Sequence, residues 1–275
     1  MDRRVIVCCL CCWLCGAALR AQTYMEYVRQ ALEAMQADSV DEAERLFQEA
    51  MRSEPGQRSN AMVYYQIGRI QERRDRPDKA LESYTMGLNI APHVVPLRLA
   101  RASLYMAKDD LDKALLDYSD VLDGRADNQE ALFMRAYIYT RKRLYRKARI
   151  DYEHLITLNP RHEEARIGLV LLNEKDNRPR EAMDQINAMI SMAPDHAVLY
   201  AVRAGMEQGR KQYEAAEADF DKAIAMEPDN ATFVLNRAAL FVETRQKKKA
   251  RADLETALRL GANPDEVASL RYELR

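Results

Sequence analysis

The stretch DNQEALFMRAYIYTRKRLYRKARIDYEHLITLNP, residues 127–160, decides the fold. In its second half Ala148, Tyr152 and Ile156 stand four residues apart, which places them on one face of a helix. Twelve residues before Ala148 stands a second small residue, Ala136, on a helix of its own, so two helices cross closely at small side chains. The alanine recurs through the chain at Ala43, Ala80, Ala114, Ala148, Ala182, Ala216 and Ala250, spaced by 37 and then five times by 34. A fixed period of this size is the mark of a stacked-repeat protein. Each alanine is followed at the fourth residue by Phe47, Tyr84, Tyr118, Tyr152, Ile186, Phe220 or Leu254, and at the eighth by Met51, Leu88, Leu122, Ile156, Ile190, Ile224 or Leu258. The small residue of the first helix is Ala31, Gly68, Ala102, Ala136, Val170, Ala204 or Ala238, with Val170 the one bulky exception.

The unit resembles the tetratricopeptide repeat, a helix–turn–helix motif. Tyr64, Ile67-Gly68, Ala80, Tyr84 and Pro92 carry the resemblance in one copy, and Leu132, Ala136, Tyr139, Ala148, Tyr152 and Pro160 in another. Closing prolines also stand at Pro55, Pro194 and Pro228. The resemblance implies an all-α, right-handed solenoid of seven repeats, at about residues 24–57, 61–94, 95–128, 129–162, 163–196, 197–230 and 231–264. A closing helix at 264–275 would cover the last repeat with Val267, Leu270 and Leu274. The first, longer spacing places an insertion near Arg58-Ser59-Asn60, a candidate hinge.

All five cysteines lie between Cys8 and Cys15, in an uncharged apolar run from Val5 to Leu19 that follows Arg3-Arg4. This reads as a signal peptide over residues 1–21, cut at Ala21|Gln22, with an uncleaved anchor as the alternative. The Ala-Gln junction resembles signal peptides common in Bacteroidetes-type bacteria. A lipoprotein reading fails because Leu14 precedes Cys15 and Cys11 precedes Cys12. The expected location is the periplasm or the outer-membrane-associated envelope. Residues 22–275 then form one solenoid domain without cysteine, which excludes disulfide staples and thiolate metal sites.

Removing Asp2, Arg3, Arg4 and Arg20 leaves 39 basic and 42 acidic residues, a balance that gives no support for nucleic-acid binding. Arg141-Lys142-Arg143 and Lys247-Lys248-Lys249 read as solvated turns between the helices of a repeat. The four histidines, His93, His154, His162 and His196, show no metal-ligand spacing. There is no phosphate loop and no nucleophile elbow. The sequence therefore points to no enzyme, no catalytic residue, no cofactor and no metal.

Four repeats carry arginine just before the small residue of the first helix: Arg101, Arg135, Arg203 and Arg237. The same four carry aspartate just before the large residue of the second: Asp117, Asp151, Asp219 and Asp253. Charge at both positions or at neither points to structural ion pairs that link the two helices of a repeat. Ser39 with Glu42 reads as a capping box, and Pro77 and Pro179 as first-turn prolines.

The family resemblance implies a concave surface lined by the first helix of each repeat. Carried over by position, the partner-binding groove is Val28, Leu32, Met35, Tyr65, Arg69, Leu99, Met106, Phe133, Met134, Tyr137, Ile167 and Leu171. It continues through small residues such as Ala201, Val202, Gly205 and Ala239, with Leu235 and Asn236. The family's lysine and asparagine clamp for a peptide carboxyl terminus is missing, since Val28, Leu32, Tyr65 and Leu99 occupy the comparable places. Such a lining suits an amphipathic helix or an extended apolar segment. The sequence reads as a non-enzymatic scaffold or adaptor of the bacterial envelope that binds a protein or peptide. The alternative is a permanent structural subunit of an envelope or secretion assembly.

Overall fold

The computed structural model describes residues 23–274, so the leader lies outside the described residues. All regular structure among them is helical. The first helix, α1, covers residues 23–36. It is followed by α2 (Val40–Ser53), α3 (Asn60–Arg73), α4 (Pro77–Ile90), α5 (Val95–Ala107), α6 (Leu111–Gly124) and α7 (Gln129–Arg141). The second half holds α8 (Tyr145–Leu158), α9 (Glu163–Lys175), α10 (Pro179–Met192), α11 (Ala197–Gly209), α12 (Tyr213–Met226), α13 (Ala231–Glu243), α14 (Lys247–Arg259) and α15 (Pro264–Glu273). Odd and even helices up to α14 are the first and second helices of the seven repeats. The chain divides into two compact units, one ending at Ile138 and one beginning at Tyr139. Within each unit, consecutive helices pack on one another.

The alanine ladder is the helix crossing. All seven alanines have no exposed surface, and the large residue four places later is buried in every repeat. Small and large residues trade volume at the crossing. A Cβ on Gly68 would collide with the ring of Tyr84, whereas Val170 fits where its partner is the smaller Ile186. The next position is less uniform: Leu88, Leu122 and Ile190 are buried, Met51, Ile156 and Ile224 are half-buried, and Leu258 is exposed.

Every repeat turns from its first helix to its second through one device. Asp38, Asp75, Asp109, Arg143, Asn177, Lys211 and Arg245 all adopt positive φ, between 54° and 61°. The next residue's N–H reaches back to the carbonyl five residues earlier, from Ser39 to Ala34 (2.8 Å) through Gln246 to Phe241 (2.8 Å). This is the Schellman closure, repeated with the period of the alanines. It corrects two expectations. The hydroxyl of Ser39 caps nothing and Glu42 pairs with Arg45 instead, so no capping box forms. Lys247-Lys248-Lys249 are the first turn of α14 and not a loop; Lys249 pairs with Glu217 at 2.7 Å and covers the Phe241 ring. Helix starts are held instead by Asp110, Asn128, His162, Asn230 and Asn263, each accepting from a backbone N–H two or three residues on. Pro77 and Pro179 open α4 and α10.

The two ends of the array are finished differently. On α1 and α2, charges pair along the helix itself: Arg29 with Glu26 and Glu33, Arg45 with Glu42, and Arg52 with Glu49. At the other end Val267 of α15 and Leu274, the residue after it, are buried in the core of α13 and α14, with Leu270 half-buried beside them.

Candidate partner-binding surface

The arginine–aspartate pairs are bidentate and part-buried. Arg101 meets Asp117 at 2.8 and 2.8 Å, Arg203 meets Asp219 at 2.6 and 2.8 Å, and Arg237 meets Asp253 at 2.8 and 2.9 Å. The hydrogen bonds to aspartate hold each guanidinium above its ordinary pKa, against the opposing effect of burial. Arg135 and Asp151 fall on different units.

Each guanidinium has a further nitrogen, and it bonds backward to the preceding repeat: Arg101 to Thr85 (3.2 Å), Arg203 to Asn187 (2.7 Å) and Arg237 to Asp221 (2.5 Å). The pair is therefore a clamp between repeats as well as within one. In the third repeat Arg98 adds a second guanidinium on Asp117 at 3.1 Å. These arginines are committed to structure and are not a grip for an anion.

Two repeats without the ion pair hold their helices together with neutral groups, one turn further along. Ser83 donates to Gln71 at 2.7 Å, and Asn173, fully buried, donates to Gln185 at 2.9 Å. Both bonds join the fourth residue after the missing arginine to the position of the missing aspartate. Arg149 on α8 supports Asn173 with a 2.6 Å bond and reaches Asp176 at 2.8 Å. The signal was present in the sequence as Gln71 and Asn173, polar residues at a position held by Tyr105, Tyr139 and Phe241 in three of the four repeats that carry the arginine and aspartate.

The first helices present one recurring column, the residue after the buried small one. In the first unit it reads Leu32, Arg69, Ser103 and Tyr137, all exposed; Leu32 is 39% and Tyr137 42% accessible. Arg69 has no ion-pair partner among the described residues. Val28, Met35, Tyr65, Leu99, Met106, Phe133 and Met134 are half-buried. Val28 and Met35 lean on the core of the first repeat. Tyr65 tilts against Tyr84 with ring centroids 6.0 Å apart, so these side chains serve packing with one edge and the surface with the other. The first unit thus carries an apolar surface with one unpaired cation on its column.

In the second unit Leu171 holds the corresponding repeat position and is 40% exposed, and Ile167 is half-buried against the core around Ile186. Gly205 follows it, with nothing within 4 Å of where a Cβ would stand. Leu235 is buried and belongs to the core around Val267, which corrects its expected place in the groove. Glu174 is taken by Arg210 at 2.5 Å.

Two of the four histidines make local contacts. Nδ1 of His162 accepts from the N–H of Ala165, and His196 lies 3.2 Å from Glu163. Among the described residues no three His, Cys, Asp or Glu side chains gather as a metal site, and no helix is long and apolar enough to cross a membrane.

Models of the tetratricopeptide repeat match residues 28–93, 129–162 and 202–267, together more than half of the chain. No curated protein sequence matches the chain. Among solved structures, a tetratricopeptide repeat protein from Parabacteroides merdae is 27% identical, with a TM-score of 0.82 over 92% of this chain and 99% of that one. YrrB, described as a TPR protein with an unusual peptide-binding site, is 19% identical with a TM-score of 0.53, over 67% of this chain and 93% of its own. PilF of Pseudomonas aeruginosa is 18% identical with a TM-score of 0.53, over 78% and 99%. The alanine ladder, the repeated turn and these matches agree: the chain belongs to the tetratricopeptide repeat family.

Proposed function

We propose that this protein is a non-enzymatic scaffold of the bacterial cell envelope that binds a partner protein through the first-helix surface of its first unit. The fold is that of a protein-interaction scaffold. One observation carries the finer reading. Leu32 and Tyr137 occupy the same place in repeats one and four, and both keep about two-fifths of their surface in solvent. Large apolar groups left exposed in register, on helices whose other faces are packed, mark a surface for a partner. Its half-buried Leu99, Met106 and Met134 suit an apolar face laid along it, and Met side chains adapt to the partner's shape. The basic and apolar leader supports export to the envelope.

Photo-crosslinking in the native cell tests this. A photoreactive residue at Tyr137 should yield a discrete cross-linked protein, whereas the same residue at Leu116, 66% exposed on a second helix, should not. Adducts from Leu116 alone, or from neither site, would overturn the reading. Cell fractionation checks the location, and recovery in the cytoplasm would refute it.

A further inference from the structure

The helix that closes the seventh repeat covers one apolar surface and opens another. Val267 is buried in the core of α13 and α14, whereas Ala268 and Tyr272 of α15 are exposed, Tyr272 with 72% of its surface in solvent. Beside them Leu258 of α14 keeps 39%. With Pro264, Val267 and Arg271, these residues line a cavity of about 370 Å³. A closing element of a repeat array ordinarily turns a polar face outward, and this one carries an apolar stripe. Pro264, Ala268 and Tyr272 stand four residues apart along the stripe, and the exposed Asp265 and Arg271 border it on either side. Neither charge has an ion-pair partner among the described residues. The pattern is symmetric about Ala268, with Asp265 three residues before it and Arg271 three after, Pro264 four before and Tyr272 four after.

We propose that this stripe binds a second copy of the chain, two α15 helices lying antiparallel across a two-fold axis at Ala268. In an isologous interface every contact from one residue to another is made twice, once in each direction. A two-fold at Ala268 brings Asp265 of each copy to the level of Arg271 of the other, so an opposite-charge pair forms twice. It also brings Tyr272 of each copy to the level of Pro264 of the other, where the cavity beside Leu258 gives the ring an apolar wall. The single methyl group of Ala268 lets the helices approach closely at the centre. A partner of unrelated sequence has no need of this symmetry, and a second copy does. Apolar contact supplies the affinity, and the charges set the direction, since parallel helices would place Arg271 on Arg271 and Asp265 on Asp265. These residues are separate from the first-unit column, so the dimer offers two copies of that column to partners.

Analytical ultracentrifugation of the purified protein tests this. Monomer and dimer should exchange with a dissociation constant on the order of 10 µM, as suits a small interface. Asp265→Arg and Arg271→Asp should each weaken self-association at least about tenfold, because each sets like charges against one another twice. Mixed in equal amounts, the two variants should associate again, since the mixed dimer faces two arginines on one copy with two aspartates on the other. A change confined to one chain cannot produce that rescue. Ala268→Glu, which sets two carboxylates at the axis, should also yield a monomer, and it keeps the test intact if a charge reversal disturbs the fold. Wild-type protein that stays monomeric about tenfold above that constant, association indifferent to all three substitutions, or a mixture that stays monomeric would each overturn the proposal. Tyr137→Ser should dimerise normally, so loss of the groove reading leaves this one standing, and the reverse holds for a monomer that still cross-links at Tyr137.

Discussion

Arg203 on α11 and Asp219 on α12 meet through two parallel hydrogen bonds, Nε to Oδ2 at 2.6 Å and Nη2 to Oδ1 at 2.8 Å. The remaining Nη1 crosses to Asn187 of the preceding repeat at 2.7 Å. One side chain therefore ties three helices. Asp219→Ala alone strands a part-buried guanidinium and should cost about 3 kcal/mol. Arg203→Met with Asp219→Leu replaces the pair by apolar groups and should cost less than about 1 kcal/mol. Urea midpoints of the three proteins check this, and equal losses in the single and double variants would rule out the clamp.

Arg143, Lys211 and Arg245 hold positive φ at the helix-to-helix turns, where glycine is at ease and a side chain is strained. The strain of about 1–2 kcal/mol is partly offset by glycine's greater freedom in the unfolded chain. Lys211→Gly should therefore stabilise the protein by roughly 0.5–1 kcal/mol. Asp109→Gly should gain less, because aspartate tolerates this conformation better. Thermal melting of the two variants decides the ranking.

Two glycines in first helices should respond to alanine in opposite directions. Gly205 has open space where a methyl group would stand, so Gly205→Ala should gain about 0.5–1 kcal/mol from helix propensity. Gly68 lies against the Tyr84 ring, so Gly68→Ala should lose about 1–3 kcal/mol by overpacking. The difference in melting temperature between the two is the measurement.

Glu207 stands one turn after Arg203, where Tyr105 and Phe241 stand in two sister repeats. Its Oε2 is buried without a partner. Burial, and then the charge of Asp219, raise its carboxyl pKa, with Arg203 and Arg210 opposing. A raised folded-state pKa favours folding below the unfolded value, and that contribution is lost as pH rises through the folded value. Glu207→Gln should thus stabilise the protein at pH 7, by about 1 kcal/mol or less, and the gain should vanish near pH 4. Melting curves at both pH values test the sign.

Leu32→Ser and Tyr137→Ser should each leave stability within about 0.5 kcal/mol, since both side chains are substantially exposed, yet weaken partner capture. A large loss of stability would assign them to the core.

The alanine ladder, its large partners and the arginine–aspartate co-occurrence were legible because they repeat, and repetition exposes which residues face inward without any knowledge of contacts. Expectation failed where the period says nothing about neighbours. The Ser39–Glu42 pattern matched a cap, but Arg45 lay within reach of Glu42 one turn away and took its carboxylate. Leu235 shares a column with Leu99 and Ile167, yet it packs into the core that the closing helix α15 completes.

Local pattern in the sequence determined the helices, their pairing and the residues of each crossing, because those contacts recur at fixed offsets along one chain. Tertiary structure alone decided the rest. The clamps reach backward to the preceding repeat, Gln71 and Asn173 substitute for them, and three extra residues leave Asn60 with a buried, unmet acceptor beside a cavity. Those features depend on which side chains meet across helices and on where space is left over, and neither is written in the period.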